Sequence, residues 1–189
     1  MFGKIIRFLY FDFGFKLRYL FWKFIITSSG GKIGRNVKMY ESVRISCSHC
    51  DAVNIGSNVR ILRNVTISTS GAGKVSIGDN VHIGEGTIIY SDKDITIKNN
   101  VVIGPYNVIV DFDHIYKDLD VPIILQGHNA KSVLIEEDVW ISSHCIIIKG
   151  TTIGKGSVIG AATVVNKDIP PYSVACGVPA RVIKKRGTN

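Results

Sequence analysis

Residues 75–89 read Val75-Ser76-Ile77-Gly78-Asp79-Asn80-Val81-His82-Ile83-Gly84-Glu85-Gly86-Thr87-Ile88-Ile89, with an isoleucine at every sixth position and glycine after the first two. A fixed internal period settles the architecture before local propensity does. Extended in both directions, the beat is led by Ile33, Met39, Ile45; Ile55, Ile61, Ile67; Ile77, Ile83, Ile89; Ile97, Ile103, Ile109; Ile135, Ile141, Ile147; and Ile153, Ile159, Val165. The leading residues fall in threes, as the sides of a triangular coil would.

Extra residues occur only after a third hexapeptide: four before Ile55, four before Ile77, two before Ile97, twenty before Ile135 and none before Ile153. They therefore map to one corner. Val53/Ile55, Val75/Ile77, Ile95/Ile97 and Val133/Ile135 each open a coil with two apolar residues on one face of a strand, the inner one. The residue four places after each leading position is expected inside as well. Arg35-Asn36, Ser57-Asn58, Asp79-Asn80, Asn99-Asn100, Glu137-Asp138 and Lys155-Gly156 supply the small or polar residues that tight corners need.

Six coils from Ile33 to Val165, each adding one strand spacing of ~4.8 Å, make an all-β prism on the order of 29 Å tall. The chain divides into an N-terminal segment 1–29, a parallel β-helix over 30–174 with an excursion at 115–134, and a C-terminal tail 175–189 expected to hold a short helix.

The net charge of +8 suggests a polyanionic partner until it is located. Lys4, Arg7, Lys16, Arg18 and Lys23 against Asp12 place +4 in residues 1–29, and Arg181, Lys184, Lys185 and Arg186 place +4 in residues 181–186. The coils between are neutral, with no basic face to track a phosphate backbone, which argues against nucleic-acid binding. Of the terminal cations, at least two of Lys184, Lys185 and Arg186 read as a solvated tail.

Cys47, Cys50, Cys145 and Cys176 occur without a secretory signal, so a reducing, cytoplasmic setting is expected. Cys47-Ser48-His49-Cys50 has zinc-knuckle spacing, but a structural zinc takes four ligands and no second pair follows. These read as turn cysteines, and no metal is expected. Cys145, four places after Ile141, reads as a small core residue.

Residues 1–29 differ in kind. They hold ten of the seventeen aromatic residues, and their six charges cover about half of a helical wheel. This reads as one or two amphipathic helices with a bend at Gly14. Charges recur too often for a membrane span, which needs ~20 largely apolar residues. Two roles remain open: a basic aromatic face lying on the inner, anionic membrane surface, or a cap on the open end of the β-helix.

The beat breaks at Ile109-Val110-Asp111-Phe112-Asp113-His114 and resumes through Asp138-Val139-Trp140-Ile141-Ser142-Ser143-His144. Farther on, Ile159-Gly160-Ala161-Ala162-Thr163 leads to Lys167 and then to Pro170-Pro171-Tyr172-Ser173-Val174-Ala175-Cys176-Gly177-Val178-Pro179-Ala180-Arg181. A neutral imidazole at the lip of an excursion suits general-base work, because a hydroxyl is a poor nucleophile until its proton is removed. Asp111, Asp113 or a backbone carbonyl are the candidates to fix that ring's tautomer.

These three motifs resemble those of the hexapeptide-repeat acyltransferases, over roughly residues 30–186. The nearest branch is that of the sugar and polysaccharide O-acetyltransferases, including galactoside, maltose and lipopolysaccharide or capsule enzymes. The resemblance implies a left-handed winding, homotrimers with active sites between subunits, and acetyl-CoA as donor. It implies His114 as catalytic base and Trp140 as an active-site wall, although packing alone is the other reading of Trp140. Backbone amides at Ser142 or Ser143 would face the thioester carbonyl, with Ser142 standing where the family has glycine. Ala161 and Ala162 would leave room for pantetheine, and Lys167 and Arg181 would meet phosphates.

The reaction so implied is direct transfer of acetyl to a hydroxyl of a surface polysaccharide precursor. Long excursions on a rigid scaffold tend to carry binding, so Asn129 or Tyr116 is expected to touch the sugar. Other uses of the fold are transfer to an amino group of a nucleotide sugar, a zinc carbonic anhydrase and a non-enzymatic scaffold. The zinc reading needs three converging histidines, whereas His82, His114 and His144 fall on the first, third and second sides of their coils.

Overall fold

The computed structural model describes residues 14–49 and 51–188. Among these, three parallel sheets form the sides of a β-helix. The first side stacks Lys32–Ile33, Val53–Ile55, Lys74–Ile77, Asp94–Ile97, Val133–Ile135 and Thr152–Ile153; the second runs from Lys38–Met39 to Val158–Ile159, and the third from Arg44–Ser46 to Val164–Val165. Leading residue lies on leading residue, as with Ile55 on Ile77, Ile61 on Ile83 and Ile67 on Ile89. All six expected coils are present on their expected sides.

The period has a direct packing cause. From Ile55 to Val165 the leading residues are at most 4% exposed, and Val59, Val81, Val101, Val139 and Cys145 fill the positions four places on. Thr87, Asn107, Thr151, Ser157 and Thr163 bury small polar side chains there instead. Burial also pushes the Cys145 thiol up, consistent with an inert core residue. Cys50 lies outside the described residues.

The first and second corners of every coil turn on a residue of positive φ. At the first corner these are Asn36, Asn58, Asn80 and Asn100, with φ of 56°, 59°, 58° and 60°. Their side-chain amides stack, each donating to the next carbonyl oxygen at 3.0, 3.2 and 3.0 Å. Asn80→Ala is expected to lose about 1–2 kcal/mol from the left-handed backbone alone, with Asn80→Gly losing less; chemical denaturation measures the difference. At the second corner Gly86 (φ +68°) is needed for space too, because a Cβ there would stand 2.5 Å from the Tyr106 ring.

The helix α1 (Gly14–Ser28) lies across the open first coil. Ile26 is buried, Tyr19 Oη donates to Gly34 C=O at 3.1 Å, Arg18 Nε donates to Met39 C=O at 2.9 Å, and Phe15 meets Tyr40 edge-on. The capping role is therefore filled by one face of α1. Leu17, Leu20, Phe21 and Phe24 on the rest of the helix are exposed. No helix of the described residues is long and apolar enough to cross a membrane. The remainder of the expected amphipathic segment, residues 1–13, lies outside the described residues, and the expected bend at Gly14 falls at that boundary.

At the other end, the expected short C-terminal helix is a strand. Arg181–Lys185 runs antiparallel to Ser173–Cys176 on the second sheet. The reason is local: Ser173–Cys176 starts a seventh course and would leave an open edge, which the β-branched pair Val182-Ile183 completes, while a helix this short gains little by itself. Arg186 Nη1 donates to the Asp138 carboxylate (2.8 Å) and to Gly156 C=O (2.9 Å), and Lys185 Nζ to Pro171 C=O (3.2 Å). These exposed cations therefore also fasten the chain end.

The excursion leaves the corner between the third and first sides as an antiparallel arm. Phe112–His114 pairs with His128–Ala130, setting Asp113 opposite Asn129 and His114 opposite His128. The Lys131 N–H donates to Asp111 C=O at 2.8 Å and closes the base of the arm. Farther out, the Gln126 side-chain amide accepts from Asp118 N–H and donates to Asp118 C=O and Val121 C=O.

Candidate active site

A cavity of about 440 Å³ opens between the arm and the fifth coil, with Asp113, His114, Tyr116, His128, Asn129 and Lys149 among its lining residues. The expected base and both expected sugar contacts thus share one space. His114 and Tyr116 are exposed to it.

The carboxylates behave differently from expectation. Asp111 is fully buried and directed away from His114. Its Oδ1 accepts from Asp92 N–H (2.7 Å), and its Oδ2 from Lys93 N–H (3.0 Å), Asp94 N–H (2.7 Å) and Ser91 Oγ (2.7 Å). Four donors saturate it, so Asp111 shapes the preceding corner and does not orient the imidazole. Asp113 instead pairs with Lys149 Nζ at 2.6 Å, and that ammonium also donates to Asn129 C=O at 3.1 Å. Neither expected carboxylate touches the His114 ring.

What touches it is His128. The two rings meet edge to face with centroids 4.6 Å apart, and His128 stacks on Phe112 on another side, also at 4.6 Å. The His128 Nδ1 lies 2.7 Å from Asp92 Oδ2, and Asp92 also accepts from Ser70 Oγ. Burial pushes the Asp92 carboxyl up, but the bonds from Ser70 and His128 outweigh it and leave it below the ordinary carboxylate range.

Lys149 and His128 were not singled out by sequence reasoning. Lys149 carried a signal: it stands two places after Ile147, as Asp111 does after Ile109 and Lys167 after Val165, so the three share one corner position. His128 carried none beyond its place in the arm, since its pairing with Asp92 spans 36 residues.

The expected donor-binding residues lie elsewhere. Trp140 projects from the second side, 51% exposed, beside Val102 and Val158 in register. The Ser142 N–H is committed to Ile159 C=O at 2.9 Å, which removes it as an oxyanion donor, whereas Ser143 N–H has no partner among the described residues. Ala162 N–H donates to Ser143 C=O at 2.9 Å, so Ser143 and Ala162 stack at the corner between the second and third sides. One coil earlier, His144 and Tyr106 stack their rings there (5.3 Å, 16°), and the exposed Ala161 and Ala162 leave a shelf next to them.

Arg181 follows the Gly177–Ala180 turn, which bonds to Val164, and so reaches this corner. Lys167 does not. It sits on the His114 edge, at the corner beyond the third side. His82 also departs from expectation: it heads the second-side strand His82–Ile83. Among the described residues no group of three or more His, Cys, Asp or Glu side chains could hold a metal ion.

The family model described as bacterial transferase hexapeptide, six repeats, matches residues 132–167. The galactoside O-acetyltransferase of Escherichia coli is 39% identical over 109 residues, which cover 51% of this chain and 47% of that protein. Across the first curated relatives, the chain spans only 35% to 47% of their length. A solved maltose O-acetyltransferase from Clostridium difficile is 30% identical, with a TM-score of 0.62 over 87% of this chain and 74% of that one. The chain belongs to the hexapeptide-repeat acetyltransferases. The N-acyltransferase AntD from Bacillus cereus, solved with coenzyme A and dTDP-4-amino-4,6-dideoxyglucose, shares the fold at a TM-score of 0.74 and 24% identity. As in other hexapeptide-repeat acetyltransferases, the coils are those of a left-handed β-helix.

Proposed function

We propose that the chain transfers an acetyl group from acetyl-CoA to a hydroxyl of a sugar in a surface polysaccharide precursor. The observation that carries this reading is the convergence of His114, Tyr116 and Asn129 on one cavity at the single long break in the repeat. His114 takes the proton of the acceptor hydroxyl as its oxygen attacks the thioester carbonyl. The tetrahedral intermediate collapses to the ester, the carbon–sulfur bond breaks, and the imidazolium returns its proton to the departing thiolate. The Ser143 N–H is the backbone donor left for the developing oxyanion. Cys145 is buried among core residues and takes no part as a nucleophile.

The donor would lie along the shelf at Ala161 and Ala162, against Trp140, with Arg181 meeting its phosphates. In one chain that shelf and His114 occupy different edges of the prism, so a complete site takes its shelf from a neighbouring copy. A closed three-fold assembly gives three such sites. Inactive His114→Ala and inactive Ala161→Arg chains, co-expressed, are then expected to regain about a quarter of wild-type activity, because random mixing rebuilds that share of sites. No recovery would remove the shared-site reading.

The outward residues Leu17, Leu20, Phe21 and Phe24, with Lys16 and Lys23 beside them, suit the anionic inner surface of a membrane. Phe21→Glu is expected to reduce sedimentation of the protein with phosphatidylglycerol vesicles; unchanged sedimentation would exclude this face.

The reaction itself is tested by thiol release from acetyl-CoA with a panel of saccharides. A companion measurement is mass spectrometry of surface polysaccharide from a strain lacking the gene, where loss of one acetyl per repeat unit is expected. Transfer only to an amino-sugar nucleotide would replace the hydroxyl acceptor with an amine.

A further inference from the structure

The structure assigns to His128, held by Asp92, the task of positioning His114, which sequence reasoning gave to Asp111 or Asp113. The inference rests on His114 being the base. Among the described residues no carboxylate lies against the His114 ring, and as a cross-strand pair it faces His128 directly. Such pairs on an antiparallel ladder bring side chains into contact. His128 is fixed from three directions: Nδ1 on the Asp92 carboxylate at 2.7 Å, one face on Phe112, and the His114 ring at 4.6 Å.

Asp92 is itself fixed. Ser70 Oγ donates to its other oxygen, and its own N–H is held by the buried Asp111. A chain of contacts thus runs from the core carboxylate of Asp111, through the corner at Asp92, to His128 and then to the base. Its rigidity matters because misplacing a reacting group by about 1 Å can lower the rate about 100-fold.

The charged groups around the two rings are Asp92, Asp113, Lys117 and Lys149. Of these, Asp92 contacts the His128 ring.

The test compares kcat, KM for acetyl-CoA and the folded fraction by circular dichroism in His128→Ala, His128→Phe, Asp92→Ala and His114→Ala. His128→Ala is expected to lower kcat about 10- to 100-fold with KM for acetyl-CoA little changed. His128→Phe keeps a ring between Phe112 and His114 and should recover part of kcat; Asp92→Ala, which releases the imidazole, should fall between wild type and His128→Ala. A fall of kcat in His128→Ala that only matches a smaller folded fraction by circular dichroism, with no recovery in His128→Phe, would show a purely structural residue and overturn the inference. Wild-type kcat in His128→Ala with His114→Ala inactive would overturn the inference alone. An active His114→Ala beside an inactive His128→Ala would make His128 the base and remove the reading of His114 as well.

Discussion

Replacing His114 by alanine is expected to lower kcat for acetyl transfer about 10²- to 10⁴-fold, the range that a positioned general base contributes. The loss should fall on kcat, because His114 lines the cavity proposed for the acceptor and the proposed donor shelf lies on another edge of the chain. KM for acetyl-CoA should therefore change little, and the thermal transition should stay near that of wild type, since the exposed imidazole supports no core contact. Steady-state kinetics with saturating acetyl-CoA measures the effect. Wild-type turnover in this variant would show that a different group is the base.

Asp111→Ala should do the reverse, removing stability first and activity only as a consequence. The fully buried carboxylate satisfies the amides of Asp92, Lys93 and Asp94 and the Ser91 hydroxyl. Truncation leaves the three amides without an acceptor, while Ser91 Oγ keeps Lys74 C=O at 2.9 Å; at about 1–3 kcal/mol for each amide that water cannot reach, a total loss on the order of 3 kcal/mol or more is expected. Asp111→Asn is the sharper variant. One of its two terminal atoms becomes a donor facing donors, so it should recover only part of the loss. Urea denaturation of both variants gives the comparison, and a loss below about 1 kcal/mol for Asp111→Ala would show that water replaces the carboxylate.

The coils were legible because a solenoid repeats one packing problem. Each side must place a branched apolar residue on the one beneath it, so the period of six is the core written out in the chain, and the strand registers follow from it. The position of the cavity was legible for the same reason, as the one place where that demand is suspended for twenty residues.

The chemistry inside the cavity was less legible. Asp111 and Asp113 stand within three residues of His114 and looked like its partners, yet strand alternation and the turn at Asp111 send one carboxylate into the neighbouring corner and the other to Lys149. The contact that His114 does make comes across a hairpin, and the one His128 makes comes from the preceding coil. A linear chain gives no register between an arm and a coil 36 residues away. The C-terminal strand was misread for a related reason: Val182 and Ile183 adopt extended structure because an unpaired sheet edge awaits them, which is a tertiary fact.

The single backbone bond from Lys131 to Asp111 that closes the base of the arm has an evolutionary consequence. The chain leaves the β-helix and re-enters it at nearly the same point, with Ile97 and Ile135 still in register across the gap. Insertions and deletions in the arm are thus decoupled from the fold, and the donor shelf on another edge does not change with them. On the proposed assignment of acceptor and donor, a gene of this design explores new acceptors by exchanging one cassette, while its donor shelf and its stability stay constant.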